Sequence, residues 1–200
     1  MSEKTRLNKL PVLDYGHVSL LSCSPSYDDY LKIKSSMLRD RLTPQSIDMI
    51  HAHVEVKCPY FILIPMISSG IRCLSSVNQT SDAFTPTLDM ISSGSSANDR
   101  DIADSMRMTV ESLMLNQKSY IHDGCNSLIA SITTPVSAYW EGVMYASMTE
   151  WSRFIFAKDL HFTVRQYQKA IYDAISIEYK NLEDIKRRSE ERRVGKECRS

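Results

Sequence analysis

Two histidines stand two residues apart in a segment of alternating polarity. Within residues 50–58 every second residue is apolar, and His51 and His53 occupy intervening polar positions. Residues two apart in an extended strand point to the same side, so both imidazoles would face one way and could bind a metal together. The residues that could supply a third ligand are His122, His161 and Glu55. The alternative, a polar strand face lining a cleft, is the one we favour, and we predict no metal site.

A group of aromatic residues in the second half of the chain could contact a flat heterocycle. The group consists of Tyr139, Trp140, Tyr145, Trp151 and Phe154. Aromatic rings stack on planar ligands, which would give this group a role in binding. The same spacing is typical of a helix core, and we favour that interpretation.

Three small polar side chains could hold or attack a substrate. Ser76 and Ser81 could hydrogen-bond to a phosphate or act as nucleophiles, and the alternative is that they cap loops. Cys73 follows Arg72, whose charge favours a reactive thiolate. Because no general base is identifiable beside Cys73, a buried inert thiol is the favoured interpretation.

Strands and loops must position these residues. Period-two alternation predicts a strand at Gly16–Leu21 and a second at Ile50–Cys58, which Pro59 ends. Residues 75–94 are rich in serine and threonine and contain Pro86 and Gly94, which predicts a long loop that carries binding residues.

Helical spacing of apolar residues predicts the other elements. The predicted helices cover residues 27–38, 61–67, 99–120 and 163–185, with a further short helix that ends at Thr133. Ser26 is the predicted N-cap of the first helix, and Pro65 is predicted to kink or end the second. The buried stripe of the long helix is predicted to be Ile102, Met106, Val110, Leu113 and Gln117. Strands early and helices late favour an α+β fold with an antiparallel-rich sheet and long helices.

The composition indicates one globular domain without a broadly charged surface. The chain has 200 residues, 42% hydrophobic and 24% charged, with a formal net charge of +0. This balance disfavours a general binder of nucleic acids or membranes. Five cysteines without a C-x-x-C pair favour reduced thiols and a cytoplasmic location. We see no signal peptide, and the apolar run Tyr60–Ile67 is too short to span a bilayer.

The last residues differ in character from the rest. We predict one domain over residues 1–188 and a non-native or disordered tail over residues 189–200. Glu190–Ser200 resembles translated sequencing-adaptor read-through, and the alternative is a solvated basic tail.

Four stretches, in their order and spacing, resemble the flavin-dependent thymidylate synthase family. Leu13–Val18 is similar to its L-D-x-G-x-V strand, and Ser76–Phe84 to its S-x-N-E-x-S-x-R-Y signature. Thr43-Pro44 with His53–Phe61 is similar to the T-P-x-E and H-V-K-C-P-x-F segments. Within Tyr120–Lys158, Gly124 and Pro135 keep the spacing of the G-x-A-x-E-x-A-R-x-x-L-P element, and Glu150–Phe154 matches an L-x-x-W-x-x-F helix.

This resemblance implies an enzyme of dTMP biosynthesis. The family methylates dUMP with methylenetetrahydrofolate, reduced FAD relays electrons from NADPH, and the enzyme is a homotetramer that binds FAD and dUMP between subunits. By position, the implied catalytic residues are Ser81 and Gln79. The implied FAD-binding residues are Thr43, His53, Arg72, Ser76, Asn78 and Arg153. The implied substrate-binding residues are Ser81, Ser131 and Lys158.

The chain lacks most of the family's arginines. Its R-H-R triplet aligns with Ile71-Arg72-Cys73, its signature arginine with Ala83 and a further arginine with Ser131, while Gln79 replaces the signature glutamate. A charge-assisted hydrogen bond contributes about 1.5–3 kcal/mol, so losing three from one phosphate site would cost about 5–9 kcal/mol if they were additive.

Three interpretations remain open. The protein is a divergent enzyme with relocated cations, for which the candidates are Arg39, Arg41, Lys57, Arg72 and Lys158. Alternatively, it is a non-catalytic or substrate-altered paralogue that keeps the nucleotide- and flavin-binding scaffold. The third interpretation is a helical interaction module without chemistry.

Overall fold

The computed structural model describes residues 9–26, 28–32, 35, 49–87, 90, 97–158 and 160–179. Residues 75–81, 97, 98 and 128 are described by their backbone. Several predictions lie wholly or partly outside these ranges: the role of Thr43, the candidate cations Arg39 and Arg41, the ends of the helices predicted over residues 27–38 and 163–185, part of the loop predicted over residues 75–94, and the tail at 189–200.

Five antiparallel strands form one sheet in the order β1-β2-β3-β5-β4. Their bounds are Leu10–Val12 (β1), Gly16–Ser24 (β2), His51–Pro59 (β3), Arg72–Ala83 (β4) and Ala138–Ser147 (β5). The predicted α+β class with an antiparallel sheet is confirmed, as are the two predicted strands. Strand β5 lies between β3 and β4, so the centre of the sheet joins segments that are distant in sequence.

Two segments were predicted incorrectly. Residues 75–83 belong to β4, whereas the sequence predicted a loop there. The pairing of β4 with β5 has three register shifts, and such bulges break the period-two pattern that marks a strand. The aromatic segment Tyr139–Ser147 belongs to β5 and not to a helix core.

The helices follow the predicted positions more closely. They are α1 (Tyr60–Ser68), α2 (Ala97–His122), α3 (Ser127–Ala130), a 3₁₀ turn (Ser131–Thr133), α4 (Met148–Ile155) and α5 (Phe162–Glu178). Residues 28–32 are also helical, and Ser26 Oγ accepts from the backbone N–H of Asp29 at 3.3 Å, which confirms the predicted N-cap. Pro65 does not end α1, which continues for three more residues.

The core lies between one face of the sheet and helices α4 and α5. Residues Ala52, Val54, Val56 and Cys58 of β3 are fully buried, as the alternation predicted. Trp151 of α4 donates its indole N–H to the Ala52 carbonyl at 3.2 Å, which ties the helix to the strand. Burying each large apolar side chain contributes about 1.5–3 kcal/mol. The apolar stripe of α5 is buried from Val164 to Ile175, and Tyr179, just after the helix, is buried too.

The long helix α2 is less buried than predicted. Its last turns bury Met114 and Gln117, but Ile102 is 47% exposed and Met106 is 45% exposed. The helix packs against α3, the 3₁₀ turn and β4, so part of its predicted stripe has no cover in the described part of the chain. In the described residues, no helix combines the length and apolar character needed to cross a membrane.

Candidate functional site

The face of the sheet opposite the core carries polar and aromatic side chains. Alternation along β3 and β5 places the core residues on one side and half-buried residues on the other. We call this second side the open face. It includes His17, Ser19 and Ser22 (β2), His51, His53, Glu55 and Lys57 (β3), Glu141 and Tyr145 (β5), and Arg72 (β4).

One row of the open face crosses four strands. Ser22 pairs with His53, His53 with Tyr145, and Tyr145 with Arg72. The Ser22 hydroxyl lies 3.1 Å from His53 Nδ1, which fixes the imidazole on that side. The His53 and Tyr145 ring centroids are 4.8 Å apart, and His51 stacks on Tyr145 at 5.0 Å with an interplanar angle of 3°.

This row together with the neighbouring His51, which we call the His53 row, combines three aromatic rings with a cation. Three neighbouring rings present π systems that suit stacking against a planar base. Arg72 is exposed and has no hydrogen-bond or ion-pair partner within the described ranges. A guanidinium of this kind can bind a phosphate through two charge-assisted hydrogen bonds. The row can therefore hold a planar ligand that carries a phosphate.

A second row of the open face crosses β5 at Glu141, four residues before Tyr145. His17 and Glu141 flank Lys57, and the backbone of Asn78 pairs with Glu141. Residues four apart on a strand point to the same side, so Glu141 shares the open face with Tyr145. The Asn78 position therefore lies beside the same face as His53.

The remaining predicted residues of β4 are in different register positions. Ser76 pairs with Gly142 and Gln79 with Trp140, positions that alternate with those of the open face. Ser81 lies where the register shifts between Gln79 and Ala83. Strand alternation thus separates these positions from those of Arg72 and Asn78.

The other predicted residues lie elsewhere in the chain. Ser131 opens the 3₁₀ turn next to α2. Arg153 is exposed in the last turn of α4, and Lys158 is exposed three residues beyond that helix. The described contacts bring His53, Arg72 and the Asn78 position together on one face, and they do not bring Ser131, Arg153 or Lys158 to it.

Several ionisable groups are held neutral by burial. Burial, and a hydrogen bond donated to the Asp14 carboxylate, raise the pKa of Tyr139. Burial raises the pKa of Tyr167, whose hydroxyl donates to the Lys57 carbonyl at 2.9 Å. Burial also raises the pKa of the Cys58 thiol. These groups serve the core and are not activated nucleophiles at neutral pH.

The sequence interpretation missed three residues of the open face. Tyr145 was assigned to a helix core, and His17 and Glu141 were given no role. The period-two pattern of Tyr139, Glu141, Val143 and Tyr145 is the signal that could have identified the strand and its polar side. The helix-core interpretation is correct for Trp151 and Phe154, which α4 buries in the core. Trp140 is also a core residue, but it belongs to strand β5, and Tyr139 is buried on the other side of that strand.

Two solved structures share this fold. Both are a UMP/dUMP methylase, PolB, from Streptomyces cacaoi, one bound with 5-Br UMP and the other with 5-Br dUMP. The first has a TM-score of 0.66 at 12% identity and covers 83% of this chain and 90% of its own. The second has a TM-score of 0.67 at 11% identity and covers 84% and 93%. No protein-family model and no curated protein matches the sequence.

Proposed function

We propose that this chain binds a pyrimidine nucleotide on the open face and methylates it, converting dUMP to dTMP with methylenetetrahydrofolate, reduced FAD and NADPH. The observation that supports this most directly is the His53 row, where aromatic rings adjoin Arg72, whose guanidinium has no hydrogen-bond or ion-pair partner among the described residues. The fold shared with a UMP/dUMP methylase supports the same class of substrate.

The residues of the open face suit an aromatic ring system and a phosphate, which flavin cofactors and nucleotides both contain. His51, His53 and Tyr145 form an aromatic group of the kind that contacts a planar ring system. Arg72 supplies one guanidinium for a phosphate. When bound, FAD would supply the reducing equivalents that the transferred one-carbon unit needs to become a methyl group.

The chain's own residues orient the ligand. Ser22 holds the His53 ring through its Nδ1 atom, so the imidazole keeps a fixed orientation beside Tyr145. The sheet backbone keeps His53 and Arg72 in register on either side of Tyr145. Such positioning lowers the entropy that is lost when a nucleotide becomes ordered.

One chain offers few cations for a phosphate. Lys57 is bound to Asp82, and Ile71, at the first arginine position of the family triplet, is a buried core residue. The proposed function therefore includes a homo-oligomer, tetrameric by resemblance, in which another subunit supplies cations. Helix α2 supports this because Met108 and Leu115 are 66% and 65% exposed and are suited to a subunit interface.

Absorbance spectroscopy and calorimetry test the proposal. The purified chain should take up FAD with a flavin spectrum and bind dUMP or UMP in a titration. Arg72→Ala should weaken nucleotide binding about 10- to 100-fold, because a lost charge-assisted hydrogen bond costs about 1.5–3 kcal/mol. Arg107→Ala is the matched control, since Arg107 pairs with Asp104 on α2.

Each outcome decides between the open interpretations. A protein that binds neither FAD nor a pyrimidine nucleotide is a helical interaction module, and the proposed function is wrong. Binding without turnover identifies a non-catalytic paralogue, and preference for UMP identifies a substrate-altered one. Unchanged binding in both Arg72→Ala and Lys158→Ala would remove these two residues from the site.

A further inference from the structure

Three side chains from the three central strands of the sheet converge on the open face. His17 of β2, Glu55 of β3 and Glu141 of β5 place one ligand atom each within 4.8 Å of one another. His17 Nε2 lies 3.8 Å from the Glu55 carboxylate and 3.6 Å from the Glu141 carboxylate. We call these three residues the His17 cluster.

A cationic side chain already occupies the centre of the His17 cluster. The Lys9 ammonium lies 3.0 Å from His17 Nε2, 3.5 Å from Glu55 Oε2 and 3.9 Å from Glu141 Oε1. Lys9 is 54% exposed and precedes β1, so its side chain can leave without disturbing the sheet. The Lys9 ammonium thus marks a position that lone pairs of His17, Glu55 and Glu141 surround.

The contact with Lys9 also fixes the protonation of His17. An ammonium group only donates hydrogen bonds, so Nε2 must accept and the imidazole proton lies on Nδ1. The Nε2 atom therefore carries the lone pair with which a neutral imidazole binds a metal ion.

Ser19 provides an independent observation. Its side chain is fully buried, and its hydroxyl has no hydrogen-bond partner in the described part of the chain. Ser19 pairs directly with Glu55 and lies two residues from His17 on the same strand, so it shares their face. Directly paired residues have Cβ atoms about 4.5–5.5 Å apart, which puts this unsatisfied hydroxyl beside the cluster.

We propose that the His17 cluster is a binding site for a divalent first-row transition ion such as Zn²⁺, which displaces the Lys9 ammonium. One imidazole nitrogen and two carboxylate oxygens suit Zn²⁺, and the Ser19 hydroxyl can approach as a further oxygen donor. Metal–ligand bonds of about 2.0–2.2 Å place tetrahedral ligands about 3.4 Å apart, close to the two distances from His17 Nε2.

Charge favours the exchange. Glu55 and Glu141 together carry two negative charges. Lys9 neutralises one of them, whereas a divalent ion neutralises both. The other nearby cation, Lys57, is already paired with Asp82 at 2.6 Å. This site is separate from the His53 row and does not depend on the proposed function.

Calorimetric titration of the chelator-treated full chain with Zn²⁺, in nucleotide-free buffer, tests the proposal. One ion should bind, and Glu141→Gln and His17→Gln should each weaken binding by about 10-fold or more. Lys9→Met should strengthen it about 10-fold because the competing charge is gone. His122→Gln, which changes an exposed histidine beside Asp123, should leave it unchanged.

Two results would overturn the proposal. One is that neither the wild-type chain nor Lys9→Met binds Zn²⁺. The other is that binding survives in both Glu141→Gln and His17→Gln, which would place the ion elsewhere. Glu141 is 25% exposed, so its substitution tests the site even where His17→Gln fails to fold. Circular dichroism confirms that each variant is folded, and absorption bands on Co²⁺ addition report nitrogen and oxygen ligands.

Discussion

Lys57 reaches across β5 to Asp82, and its ammonium lies 2.6 Å from the Asp82 carboxylate. The two side chains are only 15% and 33% exposed, so water screens the pair less than it screens a surface ion pair. This contact ties β3 to the edge strand β4 over the strand that separates them.

The first prediction concerns this ion pair. Asp82→Asn should lower the free energy of unfolding by about 1–2 kcal/mol, because the ammonium loses its charged acceptor. Urea unfolding of the single variants and of the Asp82→Asn/Lys57→Met double variant gives the coupling energy. Arg107 and Asp104, which are 55% and 63% exposed on α2, are the control pair and should couple by no more than about 0.5 kcal/mol. Equal coupling in the two pairs would contradict the prediction.

The second prediction concerns Gly16, where β1, β2 and α5 meet. A Cβ there would overlap the Tyr167 hydroxyl and lie 2.6 Å from the Val12 carbonyl and 2.9 Å from the Lys57 carbonyl. Because two of these atoms belong to the backbone, Gly16→Ala should destabilise the fold by about 1–3 kcal/mol through overpacking.

Gly124→Ala provides the comparison for that measurement. Gly124 has a φ of +87°, but a Cβ would meet nothing within 4 Å, so only backbone strain of about 1 kcal/mol applies. Thermal or urea unfolding of both variants should rank Gly16→Ala as the more destabilised. The reverse order would show that the space around Gly16 relaxes more easily than its backbone neighbours indicate.

Local patterns predicted the parts of the fold that depend on local physics. Strand β3 was predicted because one side of it enters the core at every second residue, and α5 because its stripe is buried along its length. Strand β4 was missed because its bulges and serines hide the alternation. The predicted buried stripe of α2 is correct only for its second half. Periodicity identifies the apolar side of a helix, but it does not show which other element packs against that side.

The candidate site depends more on long-range pairing. His53 and Arg72 were selected by position, but nothing local in the sequence shows that Tyr145 stands between them. That arrangement exists because β5 enters the sheet between β3 and β4, and this order is set by packing of the whole domain. For the same reason, the proximity of His17 to Glu141 could not be read from residues 124 positions apart.

The third prediction is a loss of stability at high pH. Burial, followed by the charge of Glu178, raises the pKa of Cys23 to about 12. Above about pH 9 the unfolded chain releases this proton while the folded chain keeps it, so stability falls as pH rises towards 12. The slope from this thiol is at most about 1.4 kcal/mol per pH unit.

Urea unfolding at pH 8 and pH 10 measures this effect. Cys23→Ala should reduce the difference in unfolding free energy between the two pH values. Cys125→Ala is the control, since Cys125 is exposed and should leave the difference unchanged. A pH dependence that is identical in the wild-type chain and in Cys23→Ala would refute the assignment.

The fourth prediction tests the His53 row through its central ring. Tyr145 lies between His51 and His53, so its ring is the centre of the aromatic group that the proposed ligand would contact. Tyr145→Leu keeps an apolar side chain but removes the π system. An aromatic contact contributes about 0.5–1.5 kcal/mol beyond burial, so affinity for FAD or a pyrimidine nucleotide should fall about 2- to 10-fold.

A second tyrosine separates this effect from a general loss of aromatic packing. Tyr172 of α5 is also half-buried and contacts Phe156 edge-on at 6.2 Å, on the side of the sheet that faces the core. Tyr172→Leu should therefore lower stability without changing ligand affinity, whereas Tyr145→Leu should change affinity with a smaller effect on stability. Unfolding midpoints and ligand titrations of both variants give the four values needed. Of these two tyrosines, Tyr145 lies on the open face and Tyr172 does not. Equal ligand affinity in the two variants would therefore show that the ligand does not stack on the aromatic group of the open face.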